Sequence, residues 1–146
     1  MTVITTLKEK RKEKQIKYER KMLRELSLQI LKKNINKYFM AYTEIPQFAR
    51  CCEEYCIELA IESYLLGASY SKFGYYGESF FDVKQRCIWE EQSLTEMLFH
   101  FLSSIPIAEL SEQQRNQLYD RCQSFVSLWW KEGYEKGERR YRLRLH

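Results

Sequence analysis

Glycine and proline are scarce in this chain: five and two among 146 residues. Sandwiches, barrels and other loop-rich β architectures need a turn residue every ten or so positions, so their shortage argues for helix. Long apolar runs are missing as well. A membrane span needs roughly 18 such residues, and the best stretch, Met97 to Ala108, is interrupted by His100, Ser103, Ser104 and Pro106. The opening MTVITTLKEKRKEK mixes Glu9 and Glu13 with its basic residues and leads into no apolar segment, so it does not read as a secretory signal. A cytoplasmic protein is expected. No phosphate loop, GxSxG or HExxH occurs, so no catalytic residue is assigned and a non-enzymatic role is expected.

Five cysteines make an odd number without disulfide-type spacing, as expected of free thiols in a reducing compartment. Cys51, Cys52 and Cys56 invite a metal reading, because Cys52 and Cys56 lie one helical turn apart. A closed zinc site needs about four ligands, however, and the only histidines are His100 and the terminal His146. Core packing of Cys52, Cys56, Cys87 and Cys122 is the expected outcome, and neither metal nor cofactor is assigned. His100, flanked by Phe99 and Phe101, reads as a core or boundary histidine rather than half of a Cys/His pair. Glu54, Glu58 and Glu62 recur every four residues, yet the Glu-x-x-His motif of di-iron bundles is absent. They read, like Glu90 and Glu91, as a solvated face.

What is present is helical periodicity in a chain long enough for a single core, so residues 1–146 are read as a single helical domain. Thr6 to about Tyr42 lack Gly and Pro and are rich in helix formers, predicting one long basic helix, or two with a bend. Residues 1–21 carry few apolar positions and are expected to be a solvated, partly frayed extension. The stripe proper runs through Leu23, Leu26, Ile30, Leu31, Ile35, Tyr38 and Phe39. A second helix is expected from a Thr43 cap and Pro46 to about Lys72, its buried stripe including Phe48, Cys52, Cys56, Leu59 and Ser63. FGYYGES (Phe73–Ser79) then turns the chain, with Gly74 and Gly77 each able to take positive φ and Gly74 expected as the helix stop. Ser79 with Asp82 caps a third helix that Pro106 ends, and Ser111 with Gln114 caps a fourth through Leu118, Cys122, Phe125, Val126 and Trp129. The fold class expected is an all-α bundle of about four antiparallel helices. Gly133 and Gly137 read as belonging to a fraying helix end. Trp129 and Trp130 are adjacent and cannot both face one core, which puts one of them at a boundary or an interface.

Charge is segregated. Residues 1–40 hold 12 Lys/Arg against 4 Glu, residues 41–120 hold 5 against 13 acids, and residues 121–146 hold 7 against 3. Basic ends packed on the acidic middle would neutralise one another within the domain. Alternatively, Lys10, Arg11, Lys12, Lys14, Lys17, Arg20 and Lys21 contact a polyanion, either nucleic acid or an acidic lipid surface.

The stretches LRELSL (Leu23–Leu28), IESYLLG (Ile61–Gly67) and FGYYGES, the paired tryptophans and the basic ending together resemble the YbaK-like small proteins of bacilli, a family built on a domain of unknown function. The resemblance spans roughly Lys21 to His146. It implies a small cytoplasmic bacterial protein and carries no activity or site residue. The residues themselves point to protein–protein interaction or self-association. Fifteen per cent of the chain is aromatic, with 11 Tyr, and Tyr and Trp dominate binding hot spots. Tyr75, Tyr76 and Trp130 are the expected interaction surface. The alternative for the two tyrosines is that they fold down over the bundle end.

Overall fold

A computed structural model describes residues 3–39, 46–105 and 110–143. Among these the chain is all helix: α1 (Val3–Arg24), α2 (Leu28–Tyr38), α3 (Pro46–Tyr75), α4 (Phe80–Arg86), α5 (Ile88–Ser103) and α6 (Glu112–Arg142). Thr43, Pro106 and His146 lie outside the described residues, as do the side chains of Phe48 and Cys51.

Among the described residues six helices replace the expected four, because two predicted helices are each broken once. The long N-terminal helix stops at Arg24, and the causes lie far away in sequence. The last carbonyls of a helix have no partner within it. Here the Tyr64 hydroxyl donates to Met22 O at 2.8 Å and the Lys136 ammonium to Glu25 O at 2.7 Å. Arg140 pairs with the Glu25 carboxylate at 3.0 Å, and Ser27 restarts the chain by accepting from Ile30 N. The predicted third helix breaks at Cys87, whose N–H folds back onto Lys84 O. Its buried Sγ accepts from Trp130 Nε1 at 3.2 Å. Lys84 then ties the break to α6, donating to Glu91 at 2.8 Å and to Ser127 at 2.6 Å above the Trp130 ring.

The FGYYGES turn forms one residue group later than expected. Gly74 stays helical, and the positive φ of +108° belongs to Gly77. Gly77 N bonds Gly74 O and Glu78 N bonds Phe73 O, the paired bonds of a Schellman stop with glycine at C′. Gly74 is small for another reason: a Cβ there would overlap the Tyr134 hydroxyl.

Helices adjacent in sequence alternate in direction among α1, α3, α5 and α6, but the most intimate pair, α3 and α6, is parallel. The register shows it: Tyr64 lies opposite Gly133, Gly67 opposite Trp130, and Ser71 opposite Gly137. A Cβ on Gly133 would overlap the Tyr64 carbonyl, and one on Gly67 the Trp130 carbonyl. Gly133 and Gly137 are therefore buried in a backbone-to-backbone contact, and the fraying read for this segment is overturned; α6 runs regularly to Arg142. In most up-down bundles, such diagonal helices are held apart by the core. Here the glycines close the diagonal, so among the described residues α1 and α5 each contact both α3 and α6 without contacting one another.

Closing the diagonal divides the core. The main cluster holds Met22, Leu31, Ile35, Phe39, Cys52, Cys56, Tyr64, Leu98, Phe125 and Trp129, and a second holds Val83, Cys87, Trp130 and Tyr134. Both tryptophans are buried, one in each cluster, so neither is at a boundary. The Ser111–Gln114 capping box at the start of α6 forms as its sequence suggests, with reciprocal bonds of 2.9 and 3.2 Å.

Candidate functional site

Trp130 leaves the interaction surface at once, since it is fully buried and stacked on Tyr134 with ring centroids 5.2 Å apart. Tyr76 is 77% exposed and Tyr75 41%. Tyr75 is stacked on Tyr141 of α6 at 5.6 Å, so one ring lies down on the bundle end while the other projects.

The most exposed tryptophan is one the hydrophobic pattern passes over. Trp89, in the first turn of α5, is 77% exposed, and Phe81 of α4 is 68% exposed. The stripe of α5 runs through Leu94, Leu98 and Leu102. Five residues before Leu94, Trp89 sits well off that stripe, and a bulky aromatic off its helix's apolar face is the signal that marks it. With Leu66 of α3 and Leu94 it lines a groove of about 330 Å³ between α3 and α5. Glu62 and Glu90 form the acidic rim of that groove. Glu90 is held in place by the Tyr70 hydroxyl, which donates to it at 2.5 Å. That bond to a carboxylate, with some burial, pushes the Tyr70 phenol up to about 12.

A second groove, of about 610 Å³, opens where α1 crosses the C-terminal ends of α3 and α6. Arg11, Lys14, Lys17 and Lys21 line it from α1 and Lys72 from α3. Of the sequence-predicted polyanion contacts it thus gathers four, while Lys10, Lys12 and Arg20 are exposed elsewhere on α1. Tyr18 ties α1 to α3, its hydroxyl donating to Ala68 O at 3.1 Å. Residues 7–17 are all exposed and helical. Neutralisation of the basic ends by the acidic middle is confined, among the described residues, to Lys32–Glu53 at 3.8 Å; Arg140 pairs with Glu25 instead.

Among the described residues, Cys56, Cys87 and Cys122 are free thiols and, like Cys52, buried, and no group of three potential metal ligands comes together. His100 is exposed near the end of α5, correcting the core or boundary reading. Burial pushes the Cys87 and Cys122 thiols up to about 12 and the Cys56 thiol up as well. Such thiols are poor nucleophiles at neutral pH. A pKa raised by folding means that the native state holds its protons more tightly than the unfolded chain. Stability is then intact below the unfolded thiol value near 9 and falls as pH rises from there toward 12. Thermal melts at pH 7, 9 and 10 should show the midpoint dropping only above about 9, and a flat profile would contradict the burial of these groups.

The family described as a protein of unknown function, DUF2521, matches residues 1–146. This chain belongs to that family. The uncharacterised protein YbaK of Bacillus subtilis (strain 168) is 28% identical to it over 146 residues, covering 99% of each chain. The family match takes in the lysine-rich first twenty residues, which the resemblance drawn from Lys21 onward leaves out. No solved structure matches the chain. Among the described residues of this DUF2521 protein, no helix is long and apolar enough to cross a membrane.

Proposed function

We propose that this DUF2521 protein is a non-catalytic, cytoplasmic interaction module that takes a protein partner in the α3/α5 groove around Trp89. The observation that carries the reading is the exposure of Trp89 beside Leu66 and Leu94, within an acidic rim. An aromatic anchor surrounded by polar groups is the usual composition of a binding hot spot, and a solvated Trp costs solubility without adding to the core. The carboxylates of Glu62 and Glu90 select the partner's chemistry: an apolar side chain flanked by Lys or Arg. Net charge supports this, because the segment from 41 to 120 carries eight more acids than bases. The raised thiols and the absence of a catalytic motif support a role in association rather than turnover.

The test is affinity capture from native cell extract with the wild type, Trp89→Ser and Glu62→Gln/Glu90→Gln side by side, together with light scattering for self-association. A protein held by the wild type and lost by both variants is the expected result, and a second copy of this chain qualifies. Partners retained equally by all three, or a monomer that captures nothing, would contradict the proposal.

A further inference from the structure

The larger groove is separate from the Trp89 surface and has the opposite charge. Arg11, Lys14, Lys17, Lys21 and Lys72 surround one concavity, and none of its lining residues is acidic. Among the described residues none of the five lies within ion-pair distance of a carboxylate. Gln15 on the rim donates to Glu19 at 3.1 Å, and the Lys72 ammonium rests over the Phe73 ring at 5.3 Å. Five like charges facing one cleft with no internal partner repel one another and raise the local concentration of anions.

The arrangement is directional. Positions 11, 14, 17 and 21 follow spacings of three and four, so they share one side of α1, and at 1.5 Å per residue they extend over about 15 Å. Lys72 faces them from another helix. A single small anion would engage two of these cations and leave the rest unmatched, whereas a chain of regularly spaced charges engages all of them. The groove has walls on α1, α3 and α6, with Lys72 on the α3 side, a concave shape that suits a flexible chain of charges better than a flat bilayer. Its volume is that of a pocket for a small molecule or a short segment of single strand, and too small for a duplex.

We propose that this groove binds a chain of linked phosphates, either the phosphodiester backbone of a single-stranded nucleic acid or a phosphoanhydride chain, with Lys72 and the α1 row clamping it from opposite walls. This goes beyond the Trp89 reading and is independent of it. It also differs from diffuse attraction to a basic helix, because it requires a residue 51 positions beyond the α1 row in sequence.

The experiment measures binding of the full chain to an eight-residue oligothymidylate, to tripolyphosphate and to phosphatidylglycerol vesicles at about 50 mM salt. Counterion release makes each phosphate contact worth on the order of tenfold at that salt, so Lys72→Gln and Lys14→Gln should each weaken the bound probe about tenfold. The pair Lys12→Gln/Arg20→Gln removes two exposed charges from the far side of α1 and should cost less than threefold. Both groove variants replace solvated side chains, and unchanged helical circular dichroism confirms their folding. Binding of either linked-phosphate probe with this residue pattern supports the site, and whichever probe binds identifies the source. Absence of binding to both, binding to vesicles alone, or equal loss in the Lys12/Arg20 control would overturn it.

Discussion

Replacing Gly133 with alanine should destabilise the protein by about 3 kcal/mol, at the upper end of the overpacking range. By helix propensity alone the same change inside a helix would stabilise by about 1 kcal/mol, so the sign of the effect is the discriminating result. The added methyl would overlap the Tyr64 carbonyl, and backbone within a packed 30-residue helix cannot swing aside as a side chain does. Relief requires α3 and α6 to separate, which loosens both core clusters that lie along their seam. For a domain of this size the expected loss corresponds to a fall in melting temperature of roughly 10 °C. A variant as stable as the wild type would show that the diagonal is not closed.

Trp130→Ala should cost about 3–5 kcal/mol, the range for deleting a fully buried aromatic. Trp130 is the centre of the second cluster: stacked on Tyr134, met edge-on by Phe80 at 5.8 Å, covered by the Lys84 ammonium at 4.9 Å and bonded to Cys87. Removing it leaves a cavity, an uncovered ammonium and an unbonded thiol at the α4/α5 break. Trp89→Ala should lie within about 0.5 kcal/mol of wild type, as solvent-facing substitutions do. Chemical denaturation of the two variants in parallel checks both values. Similar losses for the two would mean that the surface and core assignments of these tryptophans are wrong.

The parts of the fold legible in the sequence are those decided within a few residues. The Ser111–Gln114 box, the Ser79 cap and the start of α3 at Pro46 follow from local hydrogen bonding and from the missing proline N–H. The buried stripe of α6 follows from its period, which places Leu118, Cys122, Phe125, Val126 and Trp129 on one side. What could not be read locally was decided by groups far along the chain. The stop at Arg24 depends on Tyr64 and Lys136 reaching its last carbonyls. Gly133 and Gly137, set among the basic residues of the last turns, look like a loosening end until Tyr64 and Ser71 are known to lie opposite them. The burial of Trp130 is non-local in the same way, because the closed diagonal makes two cores where the sequence pattern suggests one.

The grooves divide along the same line. The basic row on α1 is visible in sequence as a run of cations. Which of them face a concavity is settled only by the crossing of α1 over α3, and so is the addition of Lys72. Trp89 was within reach of sequence reasoning, as an aromatic displaced from the stripe of its own helix. Leu66 and Glu62, which complete its groove, belong to a helix whose direction relative to α5 no local pattern contains.

Association through the Trp89 groove would be read from the three tryptophan indole N–H signals of isotope-labelled protein in unlabelled native extract. The Trp89 signal should shift or broaden while those of Trp129 and Trp130, held in the two cores, stay in place. An unmoved, sharp Trp89 signal in extract would contradict it.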